Sequence, residues 1–171
     1  QDTSAYVGPI SVVMPLSNDQ ACGAHEIIVG APGLLYNNTG ATVSNDELLI
    51  VPPVTGAQTS TGWASNTLSH TTWFKFIAPA SGNVRIDATG IAYDGQIAVY
   101  YGADCSILPS FTLHGANDNE IDGNSLAPNF TICGLIPGAE YHVMHDGQGT
   151  AGNYTIEISE VSVEAGVPGE V

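Results

Sequence analysis

The chain has 171 residues, enough for one domain with short arms, and at 43% hydrophobic content it can bury a core. Lys75 and Arg85 are its only basic residues against 17 Asp and Glu, giving a formal net charge of −15. That balance excludes nucleic-acid binding, which needs cationic groups to neutralise phosphates, and disfavours anionic membrane surfaces. Cations, calcium above all, are the small partners such a charge favours, and copies should repel one another at low salt and less in saline media.

The punctuation is that of an all-β protein, with 20 Gly and 10 Pro set between short apolar runs. No run approaches the length of a membrane-crossing helix, so the chain is not expected to span a membrane. Gln1 is not an initiator Met, which leads us to expect a processed, exported protein, secreted or at the cell surface. The first 17 residues read as a strand-like arm. Ala5-Tyr6-Val7 and Ile10-Ser11-Val12-Val13-Met14 are apolar, and Pro9 and Pro15 confine such a strand to an edge.

Glu26-Ile27-Ile28-Val29 and Leu48-Leu49-Ile50-Val51 read as buried strands, with turns at Asn37-Asn38-Thr39-Gly40 and Ser44-Asn45-Asp46. Residues 52–69, rich in Pro, Thr, Ser and Gly, read as a long surface loop. Alternation sharpens from residue 70. Phe74 and Phe76 share one face and Trp73, Lys75 and Ile77 the other. Val84, Ile86 and Ala88 oppose Arg85 and Asp87, and period-two patterns recur around Ile97–Tyr101, Phe111–His114, Phe130–Cys133 and Tyr154–Ser159. No segment carries a capped 3.6-residue period. The expectation is an antiparallel β-sandwich, of jelly-roll or Greek-key type, with roughly eight or nine strands. Residues 18–163 form this domain and residues 164–171 a tail or linker.

The order Trp73-Phe74-x-Phe76-x-Ala78-Pro79-x-Ser81-Gly82-x-Val84-x-Ile86-Asp87, then Asp94-x-Gln96-Ile97-Ala98-Val99-Tyr100, resembles the bacterial pre-peptidase C-terminal (PPC-like) family. The likeness covers about residues 18–160. It implies a secreted, usually non-catalytic β-sandwich module. Asn18-Asp19-Gln20-Ala21-Cys22 is similar to the opening of such modules, whose calcium-binding members draw oxygen ligands from this start and from loops at the same end. The resemblance makes Asn18, Asp19, Asp94, Asp104, Asn117, Asp118 and Glu120 candidate calcium ligands. The plain alternative is a set of solvated Asx turns. Leu135-x-Pro137-Gly138-x-x-Tyr141 is similar to the corner of fibronectin type III domains, in which the Tyr hydroxyl bonds back to the turn backbone.

Three cysteines suit one disulfide and one leftover thiol in an exported protein. Cys105–Cys133 is the preferred pair, with Cys22–Cys133 next. His142 and His145, three apart on a strand, are expected to point to opposite faces and not to form a zinc pair. No nucleophile elbow, H-E-x-x-H or P-loop is present, so no enzyme is expected. Trp63 is a candidate stacking platform for a sugar, while a role in capping the core beneath its loop is the preferred reading. Two functions follow. One is a structural or adhesive extracellular protein that associates head to tail. Its arm, with Tyr6, Val7, Ile10, Val12, Val13 and Met14, would complete a neighbour's sheet by β-strand addition and build a filament or array. The other is a calcium-dependent module that binds a glycan or a matrix protein.

Overall fold

A computed structural model describes residues 16–119 and 125–162. The arm residues Tyr6, Val7, Ile10, Val12, Val13 and Met14, and Glu120 of the candidate ligands, lie outside the described residues.

The strands are β1 (His25–Glu26), β2 (Leu34–Asn37), β3 (Thr72–Ile77), β4 (Val84–Thr89), β5 (Gln96–Tyr101), β6 (Thr112–Asn117), β7 (Asn129–Ile132), β8 (Glu140–Asp146) and β9 (Asn153–Glu160). They form two sheets, β1-β3-β8-β5-β6 and β2-β9-β4-β7. This is the all-β sandwich the alternation predicts. All pairings are antiparallel except β1 with β3. Successive strands pass between sheets at nearly every connection, and β5–β6 alone pairs neighbours in sequence.

The inner core follows directly from the period-two pattern. Phe74, Phe76, Val84, Ile86, Ile97, Val99, Phe130, Tyr141, Val143, Tyr154, Ile156 and Ile158 meet between the sheets. Trp73 and Met144, one residue out of phase, face the other way with Ala98 and Tyr100. The five-stranded sheet is therefore apolar on both faces. Its outer face is covered by irregular chain: the short 3-10 turns Ala21–Gly23, Glu47–Leu49 and Leu108–Ser110, and the segment around Trp63. The corner behaves as its motif predicts. Tyr141 Oη accepts a bond from the Ile136 N–H at 3.0 Å, and Gly138 takes a left-handed φ of 77° that a side chain would resist.

Several expectations are corrected. Cys22 pairs with Cys105, and Cys133 is a free, exposed thiol, so the Cys105–Cys133 bond does not form. Cys133 follows β7 in the four-stranded sheet, whereas the turn carrying Cys22 packs on the other sheet's outer face, beside the chain leaving β5. Leu48-Leu49 belongs to a 3-10 turn with both side chains exposed, because Glu47 rather than the leucines is the buried anchor there. Of Glu26–Val29 only Glu26 is in a strand, at a sheet edge, and only Ile27 is buried. The run 34–37, whose end reads as a turn, is strand β2.

Candidate functional site

The outer cover is held by carboxylates, and the candidate ligand Asp19 is one of them. Asp19 accepts from the Thr42 N–H at 2.6 Å and the Thr42 hydroxyl at 2.7 Å. Glu47, fully buried, accepts from the Trp73 indole N–H, the Thr71 hydroxyl and the Ser44 N–H. Burial pushes the Glu47 carboxyl up, and these donors oppose the shift. Asp146 accepts from the N–H groups of Ser69, His70 and Gln148 and from the Gln96 amide. The local partners, Ser44 for Glu47 and Gln148 for Asp146, mark only turns in the sequence, and the partners that make these carboxylates pins, Trp73, Thr71, Ser69, His70 and Gln96, lie on other segments.

The remaining candidates do not converge on one ion. Asn18 donates to the Trp73 carbonyl. Asn117 is fully buried and structural: its amide donates to the Thr59 carbonyl and accepts from the Asn129 N–H, tying β6 to β7. Asp104 accepts from Ser106 beyond the C-terminal end of β5, whereas Asp94 precedes its N-terminal end. A six-residue strand is about 20 Å long, so the two cannot share a ligand.

Asp94 and Asp118 do come together. Asp118 Oδ2 accepts from the Ala64 N–H at 2.8 Å and the Gln148 amide at 3.4 Å. Its Oδ1 is buried without a donor. Burial raises the Asp118 carboxyl to about 6, and the neighbouring Asp94 charge adds to the shift. Asp94 is raised too, chiefly by burial. Asn119, in the orientation its bonds require, donates to Asp94 Oδ1 at 3.1 Å. Two facing carboxylates disfavour each other's ionisation, so the pair holds a shared proton more tightly than either would alone. Among the described residues no group of three or more His, Cys, Asp and Glu is placed to hold a metal.

Trp63 is no sugar platform. It is fully buried, its indole N–H donates to the Ile97 carbonyl at 2.9 Å, and it packs on the outer face with Trp73 and Tyr100. An aromatic in a polar loop has no local mark to show whether it points outward or down. His142 and His145 take opposite faces of β8 as expected: the first ring lies against Phe111, the second stacks on Tyr154 at 3.9 Å. Both basic residues are ion-paired, Lys75 with Glu140 and Arg85 with Asp87, each at 2.9 Å.

The second feature is a flank. On one side the sandwich is closed: Gly115 of β6 lets β7 approach so closely that a Cβ there would lie 3.1 Å from the Phe130 ring. On the other side the terminal strands β1 and β2 leave a groove of about 290 Å³, lined mainly by apolar residues, among them Ile27, Ile28, Leu34, Tyr36 and Ile156, and by one carboxylate, Glu26. Ile28, Leu34 and Leu35 are 62%, 64% and 71% exposed. Sequence reading missed this edge because 34–37 lacks the alternation of a half-buried strand.

No protein-family model matches the chain, and no curated protein matches it. Among solved structures the chain is similar to the pre-peptidase C-terminal domain of collagenase from Bacillus anthracis. The identity is 12% over 79% of this chain and 93% of that one, with a TM-score of 0.44. It is also similar to CorA, a surface-associated copper-binding protein important in copper acquisition in Methylomicrobium album BG8. There the identity is 10% over 81% of this chain and 98% of that one, with a TM-score of 0.40.

Proposed function

We propose that this chain is a non-catalytic extracellular structural or adhesive protein whose copies associate by β-strand addition. The observation that carries the reading is strand β2. It ends its sheet, and its sequence Leu-Leu-Tyr-Asn has none of the charges or prolines that protect exposed edges from pairing. An unprotected apolar edge is a template for another strand. The Cys22–Cys105 disulfide supports an oxidising, exported setting. The paired lysine and arginine leave the surface acidic, so association should be weak at low salt and strengthen as screening rises. The test is light-scattering mass and electron microscopy of the intact chain in saline, beside a variant lacking residues 1–16. Regular oligomers or filaments that become monomers on deletion are expected. Monomers near 17.7 kDa from the intact chain would remove the reading.

A second reading, a calcium-dependent module for a glycan or matrix protein, is favoured by the Asp94–Asp118 pair and its donorless oxygen. Calcium takes six to eight oxygens, so the two carboxylates would supply part of the shell and backbone or water the rest. Bound calcium should raise the melting temperature by mass action, and Asp118→Asn should cancel that rise. A melting curve unmoved by calcium or chelator removes this second reading.

A further inference from the structure

We infer that the groove between β1 and β2 is the acceptor for residues 10–14 of a neighbouring copy, an assignment that rests on the self-association reading above. Three observations carry it. The groove exposes backbone edge and apolar side chains together, which is what an entering strand uses for affinity and for register. The described chain starts at the groove's own rim: Ser17 Oγ is 2.7 Å from His25 Nε2, and the His25 ring lies 6.0 Å from that of Tyr36, a groove residue. Fifteen residues precede Leu16, a reach of about 50 Å when extended, well beyond the length of β2.

The chemistry of those residues matches the groove. In a chain of net charge −15, positions 3–15 carry no charged side chain, so this segment brings no second carboxylate to a cleft whose lining is apolar apart from the exposed Glu26. Extended, Ile10, Val12 and Met14 fall on one face, and Leu34 and Tyr36 are the β2 residues that line the cleft. Residues directly opposite on paired antiparallel strands lie about 4.5–5.5 Å apart at Cα, within the span of a disulfide. The filled groove would also cover the exposed leucine of β2 that faces it, which no described residue covers.

The test uses full-length chains in a Cys133→Ser background, leaving the native disulfide in place. Ile10→Cys, Val12→Cys and Met14→Cys are each mixed with a separate Leu34→Cys copy and mildly oxidised. A covalent dimer from at least one mixture, absent when Leu34→Cys is replaced by Leu49→Cys on the exposed outer-face turn, is the expected result. If no mixture links but a chain carrying both cysteines closes on itself, the groove seats its own arm; the neighbour assignment and the self-association reading then fall together. If neither links while light scattering still shows oligomers, the groove assignment is overturned and self-association stands on another surface.

Discussion

The five-stranded sheet's outer face and the β1–β2 flank pose the same physical problem, apolar surface left over after the two sheets have packed, and the chain treats them differently. Over the outer face it lays its own irregular segments and pins them with the Cys22–Cys105 bond and with Asp19, Glu47, Asp118 and Asp146. Along the flank the described residues lay nothing, and two consecutive leucines and an isoleucine stay exposed. A fold that invests a disulfide and four carboxylates in covering one surface does not lack the means to cover another. The difference marks the outer face as stability, and on the proposed reading the flank is the surface that takes a partner.

Breaking the cover should produce the largest effects. The disulfide closes a sequence separation of 83, for which loop-entropy reasoning gives a stabilisation of about 4–5 kcal/mol. Cys22→Ser with Cys105→Ser, in a Cys133→Ser background to prevent rearranged pairing, should lower the unfolding free energy by up to that amount in urea titrations. Glu47→Ala comes next. It strands the Trp73 indole N–H in a buried site and the Ser44 N–H in a half-buried one, and each orphaned donor costs roughly 1–3 kcal/mol, so a loss of about 3 kcal/mol is expected. Glu47→Gln keeps one acceptor oxygen and should lose about half as much. If neither Glu47 variant shifts the urea midpoint, the carboxylate is not what holds the cover.

How much of this was legible in the sequence follows the range of the interaction. Phe74 and Phe76 against Trp73, and His142 against His145, were assigned to opposite faces because a strand's period of two is a local rule. The Tyr141 corner was legible for the same reason, its hydroxyl reaching back five residues. The cover was not. Trp63 donates across 34 residues, Asp146 accepts across 77, and the disulfide spans 83, so each depends on where other strands place its partner. The acidic candidates divide likewise. Asx chemistry in a turn describes Asp104, while Asn117 and Asp19 serve partners 12 to 58 residues away. Strand β2 was hidden because both its leucines stay exposed, one on each face, so a buried-face pattern has nothing to reveal.

A smaller effect separates the pins from one another. Asp118 holds Ala64 as Glu47 holds Trp73, yet it has a donorless oxygen and a carboxyl raised to about 6. An unfolded aspartate titrates near 4, so the protonated folded form contributes stability that is lost as pH rises through about 6. His145, buried and lowered to about 4 by desolvation, acts in reverse: stability falls as pH drops from about 6.5 towards 4. The two slopes oppose each other between pH 4 and 6 and should leave the native melting temperature nearly flat there. Asp118→Asn should be more stable than the parent by about 1 kcal/mol at pH 7.5 without calcium, and should lose stability on acidification. His145→Phe, which can keep the stack on Tyr154, should gain it. Parallel slopes in the two variants would show that neither group governs the acid limb.

The flank supplies the smallest effect on folding and the sharpest contrast. Leu34 is 64% exposed, and its substitution removes little that folding buries. Leu34→Lys should therefore change the unfolding free energy by no more than about 0.5 kcal/mol, the usual range for surface positions. It also lowers the magnitude of the net charge and so weakens repulsion between copies, which on electrostatics alone would favour association. The docking assignment demands the opposite, because an ammonium in the groove must be desolvated when Ile10, Val12 or Met14 enters. A Leu34→Lys chain that melts with the parent but runs as a monomer would place the groove in the interface rather than in the fold. One that melts several degrees lower would make Leu34 part of the cover after all, and the two surfaces would no longer differ in kind.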